Sequence, residues 1–134
     1  DARSGGTRRV IYGIGADIVA IERLKRLYER HGETALGHLL APSERADFER
    51  AADKGRFLAK RFAAKEAFAK ALGTGLRSPA VLPNIAVSHD TLGKPGLEFA
   101  PELAALVHER GLISHLSLSD EQEFVVAFVV LECA

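Results

Sequence analysis

Apolar and polar positions follow two periods along the 134-residue chain. Val10 to Ala16 (VIYGIGA) is a short apolar run with two glycines, which predicts a strand ending in a tight turn. Ile18, Ile21, Leu24 and Leu27 then recur at helical spacing, separated by Glu22, Arg23, Lys25, Arg26, Glu29 and Arg30. That predicts an amphipathic helix stopped near Gly32. Glu33 to Leu40 reads as a short helix, and Pro42-Ser43 opens another running to about Asp53. Lys54 to Leu72 carries the strongest helical signal, rich in Ala, Leu, Lys and Arg, without a β-branched residue and closed by Gly73. Ile85 to Ser88 and Leu97 to Phe99 predict two strands joined by a turn over 90–95. Pro101 opens a helix to Arg110, with Gly111 as its cap. Leu112 to Ser119 alternates as a strand. Glu123 to Leu131 follows as a continuous apolar strand, expected to be central and buried on both faces. Hairpins and separate helices favour an α+β fold in one small domain over repeated βαβ units.

Charge narrows the function classes. Lys+Arg and Asp+Glu are 18 each, so the net charge is zero and a strongly basic nucleic-acid binder is disfavoured. The run Phe124 to Leu131 is far short of the roughly 18 apolar residues of a membrane span. The single cysteine, Cys133, excludes a disulfide framework and a zinc site of several thiolates, which fits a reducing compartment. Asp1 to Arg9 is polar, Gly-rich and basic, and reads as a lead-in without a secretory apolar region; the domain is expected over 10–134.

Three segments carry candidate chemistry. Gly13-Ile14-Gly15-Ala16-Asp17 sets a carboxylate between a strand and a helix, where Asp ordinarily caps the helix. A dinucleotide fingerprint would need a third small residue where Ile18 stands. From Lys54 to Lys70 there are six basic residues and one acid, Glu66. This is either a solvated face or an anion-binding stripe with one carboxylate for a cation. Phosphates with Mg²⁺ need that combination, because Mg²⁺ takes one or two carboxylates, water and phosphate oxygens. His115, Ser117 and Ser119 share one face of their strand, which is a pocket wall or a solvent face.

Together these segments resemble the holo-acyl-carrier-protein synthase family, the small 4′-phosphopantetheinyl transferases. Ile11 to Val19 resembles the family's opening G-[IVL]-G-x-D strand. Phe57 to Ala71 with Gly73-Thr74-Gly75 resembles its signature helix, and His115-Leu116-Ser117-Leu118-Ser119 its C-terminal strand. Gly93-Lys94-Pro95 matches a shorter element, and Asp120 stands where many members have His.

The resemblance implies the family's α+β fold and transfer of the 4′-phosphopantetheine of coenzyme A to a serine of apo acyl carrier protein. The other product is adenosine 3′,5′-bisphosphate. It implies Asp17 and Glu66 as Mg²⁺ ligands and Asp17, Glu66 and Lys70 as the catalytic set, with Lys70 on the phosphates. Arg61 and Lys65 would add positive charge. Gly73, Gly75, Gly93, Lys94, Pro95 and His115 would line the coenzyme A. Glu66 is the expected base for the serine. Arg23, Lys25, Arg26 and Arg30 are expected to dock the acidic carrier protein. The family also implies a cytoplasmic homotrimer with active sites between subunits, acting without nucleic acid or membrane. The competing readings are a non-catalytic polyanion or nucleic-acid binding module on the basic helix, and a nicotinamide-dependent oxidoreductase.

Overall fold

The computed structural model describes residues 8–134; most of the expected lead-in lies outside the described residues. The chain is α+β. Strand β1 (Val10–Ala20) is followed by helices α1 (Ile21–His31), α2 (Glu33–Leu39), α3 (Arg45–Arg50) and α4 (Lys54–Leu72). Strands β2 (Ile85–His89) and β3 (Pro95–Phe99), helix α5 (Pro101–Glu109), and strands β4 (Leu112–Asp120) and β5 (Phe124–Cys133) complete it. One antiparallel sheet has the order β1-β5-β4; β2 and β3 form a separate hairpin lying against β4.

Helix α4 packs along β1 and β5, and this contact dictates the composition of both partners. Ala59, Ala63, Ala64, Ala67 and Ala71 are buried on the helix, so its backbone approaches the sheet closely. On the strand side the matching residues are Gly13 and Gly15. A Cβ at Gly13 would overlap the Ala71 carbonyl, and one at Gly15 would overlap the Ala67 carbonyl and meet Lys70 Cβ at 2.9 Å. The two glycines therefore lie inside an extended strand rather than in the expected turn. They are there for close approach, not for a positive φ. Val125, Ala127, Val129 and Leu131 of β5 complete this layer, while Phe48, Phe68, Leu36 and Leu103 fill the core around it.

Three expected boundaries shift. β1 continues through Ile18, which is 64 % exposed, so α1 starts at Ile21 and buries only Ile21 and Leu24. The helix expected over 42–53 is broken. A 3₁₀ turn (Pro42–Glu44) leads into α3, and Asp53 instead caps α4, its Oδ1 accepting from Arg56 N–H at 3.0 Å. β5 is central, as expected, but alternates in burial. Phe124, Val126 and Phe128 stand exposed on the face turned from α4, beside Ile14 and Ile18 of β1 and Ile113 of β4. The unbroken apolar run thus serves two different faces, and only one is covered within the chain.

Candidate active site

Asp17 does not cap a helix. It lies in β1 opposite Ala127, and its side chain turns to the α4 face of the sheet with that of Val19, on the side where Gly15 meets the helix. The close approach at Gly15 brings it to Lys70 on the last turns of α4. Lys70 Nζ donates to Asp17 Oδ1 at 3.0 Å and to the Ala16 carbonyl at 2.9 Å. The other oxygen, Asp17 Oδ2, is buried without any hydrogen-bond partner. Glu66 lies one helical turn before Lys70 on the same side of α4. Its carboxyl is held above the usual carboxylate range, first by burial and then by the charge of Asp17; Lys70 and Arg23 oppose the shift. Arg23 comes from α1 and lies over the Phe62 ring, 5.3 Å from its centre, one turn before Glu66. Two carboxylates and two cations thus meet where β1, α1 and α4 converge.

An unpartnered buried carboxylate oxygen beside a second carboxylate of raised proton affinity is a donor set short of a cation. It fits a hard divalent ion that keeps water and phosphate oxygens as its remaining ligands. Among the described residues no group of three or more His, Cys, Asp or Glu is placed to hold a metal ion, and Asp17 and Glu66 are the two carboxylates that meet here.

The remaining expected residues fall elsewhere. Gly73 caps α4 in the left-handed conformation (φ 90°), and Gly75 (φ 66°) donates its N–H back to the Ala69 carbonyl. This turn borders a groove of about 490 Å³ lined by Leu72, Thr74, Arg77, Pro79 and Arg110. Gly93, Lys94 and Pro95 form the turn of the β2–β3 hairpin, pinned by Asp90 Oδ1 accepting from Leu92 and Lys94 N–H groups, both at 2.9 Å. His115 stands on the open face of β4, its Nε2 2.7 Å from Glu132 Oε1. β1 and β4 are opposite edges of the sheet, so one chain does not unite His115 and the hairpin with Asp17, Glu66 and Lys70.

Arg61 and Lys65 require correction. Lys65 is fully buried, and its three donors are taken by Leu39 O (2.7 Å), Glu44 Oε1 (2.6 Å) and Leu82 O (3.1 Å). Burial lowers its proton affinity, and Glu44 opposes that. Arg61 is also buried, its Nε 3.3 Å from Glu44 Oε2 and its guanidinium 4.1 Å from the centre of the Phe57 ring. Both basic groups therefore pair with Glu44 in the protein interior instead of facing a phosphate. Arg56 is tied to Asp120 at 2.8 Å and to the Glu121 carbonyl, and Lys54 to the Glu49 and Ala51 carbonyls. The basic stripe read along α4 is mostly spent on the fold, which removes the basis of the polyanion-binding alternative.

Sequence reasoning missed Glu44. Its carboxylate accepts from Ala41 and Val87 N–H groups, both at 2.9 Å, and pairs with Lys65. The signal was a Glu two residues after a helix-opening Pro, where it can reach back to a free N–H.

Known proteins share this fold. A family model described as the 4′-phosphopantetheinyl transferase superfamily matches residues 13–130. The chain belongs to this superfamily. A curated relative from Dechloromonas aromatica, named holo-[acyl-carrier-protein] synthase, is 63 % identical over 125 residues, 93 % of this chain and all of that one. The crystal structure of the holo-[acyl-carrier-protein] synthase of Neisseria meningitidis superposes with a TM-score of 0.88 at 47 % identity, covering 91 % of this chain and 98 % of that one. A synthase from Bacillus anthracis, solved in complex with CoA (3′,5′-ADP), gives 0.78 at 35 % identity, with 92 % and 98 % covered. The likeness to both structures covers more than nine-tenths of this chain.

Proposed function

We propose that this chain is a holo-acyl-carrier-protein synthase. It transfers 4′-phosphopantetheine from coenzyme A to a serine hydroxyl of apo acyl carrier protein and releases adenosine 3′,5′-bisphosphate. The observation that carries the reading is the Asp17–Glu66–Lys70 cluster with its unpartnered Asp17 Oδ2, in a chain of this superfamily.

In the reaction the serine oxygen attacks the phosphorus that bears pantetheine, and the bond to the adenosine-side bridging oxygen breaks. Asp17 and Glu66 would hold the divalent cation, Mg²⁺ in this reading, which supplies charge neutralisation on the phosphoryl oxygens. Lys70 provides a half-exposed ammonium for the same phosphates. Glu66 takes the serine proton, a role suited to a carboxyl of raised proton affinity. The left-handed turn at Gly73 and Gly75 and the hairpin turn at Gly93, Lys94 and Pro95 line the coenzyme, with Lys94 adding positive charge.

The active form is a homotrimer in the cytoplasm, with each site shared between copies. Two features support the assembly: the open apolar face bearing Ile14, Ile18, Val126 and Phe128, and the separation of His115 from the carboxylates within one chain. The carrier protein docks on α1, where Arg26 and Arg30 are exposed and Arg23 adjoins Glu66. Among the described residues no helix is long and apolar enough to cross a membrane.

The test is release of adenosine 3′,5′-bisphosphate, followed by chromatography, with coenzyme A and apo carrier protein. Wild type releases it only when carrier protein is present, and Asp17→Asn loses at least about 100-fold in rate. Release by wild type without carrier protein, or full activity of Asp17→Asn, would refute the proposal.

A further inference from the structure

Lys70 faces two partners that cannot both hold it. In the free chain its ammonium bonds Asp17 Oδ1 at 3.0 Å and the Ala16 carbonyl at 2.9 Å. The reaction requires the same ammonium on phosphate and the same Asp17 on a divalent ion. The Asp17 side chain is 16 % exposed, while that of Lys70 is 51 % exposed, so the lysine is the mobile member. At Gly15 the strand approaches the base of the lysine closely, and the half-exposed ammonium lies at the far end of the side chain.

We propose that Lys70 serves as the internal cation of the metal site until substrate arrives. In the free protein it neutralises Asp17 and weakens binding of a divalent ion there. The diphosphate of coenzyme A draws the ammonium off Asp17, which opens the carboxylate to the metal. Metal and coenzyme A then bind with positive cooperativity carried by this exchange, beyond the cooperativity that arises because the diphosphate itself ligates the metal. Binding free energies are reciprocal, so metal strengthens coenzyme A binding by the same factor. Asp17 Oδ2, buried and unpartnered, marks the half of the carboxylate the lysine leaves unfilled.

The inference rests on the proposed phosphopantetheinyl transfer at this site. Its test is the affinity of Mn²⁺ for the assembled protein, by isothermal titration, with and without coenzyme A. Wild type is compared with Lys70→Met and, as a polar second variant, Lys70→Gln. Without coenzyme A, both variants bind Mn²⁺ more tightly than wild type, by at least about fivefold. The gain in Mn²⁺ affinity on adding coenzyme A is smaller in the variants than in wild type, because the ligation term remains and the exchange term is gone. Equal or weaker Mn²⁺ affinity in the free variants overturns the exchange, as does a coenzyme A gain that the substitution leaves unchanged. In either case the transferase reading stands if wild type still binds Mn²⁺ with coenzyme A. Transfer to carrier protein that proceeds in EDTA, with no Mn²⁺ binding by any form, overturns the metal site and the exchange together.

Discussion

Replacing Lys65 by Met separates an interior ion pair from a substrate contact. The ammonium is fully buried and gives one hydrogen bond each to Leu39 O, Glu44 Oε1 and Leu82 O. Methionine fills much of the volume but donates nothing. Two carbonyls lose their partner, and Glu44, 2 % exposed, loses its nearest cation while keeping the Ala41 and Val87 N–H groups. Removing one partner of a buried pair costs about 3–5 kcal/mol, because the other charge stays desolvated. Arg61, 3.3 Å from the second oxygen of Glu44, compensates part of it and favours the lower end. For a chain of this length each kcal/mol moves the melting temperature by roughly 3–5 °C, so the expected drop is about 10–15 °C. The assay is thermal unfolding at fixed protein concentration, since assembly makes melting concentration-dependent. It is paired with the KM for coenzyme A well below the transition. The KM should stay within about twofold of wild type. A melting temperature within about 2 °C of wild type, with KM raised about tenfold, would refute the reasoning and return Lys65 to the phosphates.

Other outcomes follow from the same geometry. Gly15→Ala drives a Cβ into the Ala67 carbonyl and toward Lys70, so it should destabilise by at least about 2 kcal/mol and cut transfer activity; a denaturant midpoint equal to wild type would contradict it. Glu66→Gln should abolish transfer yet melt higher than wild type at pH 7 without divalent ions. The folded state raises the Glu66 proton affinity, so wild-type stability falls as pH rises from the ordinary carboxylate range through the folded value; glutamine removes that loss, and the difference should vanish near pH 4. A lower melting temperature for Glu66→Gln at pH 7 would contradict this. Charge reversal at Arg26 and Arg30 should raise the KM for carrier protein and leave coenzyme A binding of the free protein within about twofold, measured by isothermal titration; an unchanged KM would contradict it.

The elements were legible where one local rule dominated. Lys54–Leu72 is bounded by a good cap residue and a left-handed glycine, and its limits match the expectation. The hairpin and α5 are similarly punctuated by Gly and Pro. What misled was tertiary. Gly13 and Gly15 read as turn residues because their reason lies far along the chain on α4, in the Ala71 and Ala67 carbonyls. Ile18 fits a helical period by accident of the strand that precedes it. Of the residues the resemblance implied, Asp17, Glu66 and Lys70 were brought together by the fold. Arg61 and Lys65 were misread, because a lysine on an Ala-rich helix reads as exposed until Glu44 is found beside it. That partner lies 21 residues earlier, in a segment whose periodicity says nothing of its burial.

The central claim is tested most directly by intact-mass spectrometry of an apo acyl carrier protein incubated with this protein, coenzyme A and Mg²⁺, with EDTA in a parallel reaction. The account predicts a gain of one phosphopantetheine per carrier protein with Mg²⁺ and none with EDTA. An unchanged carrier mass with Mg²⁺, using a carrier protein that a known synthase modifies under the same conditions, would contradict it.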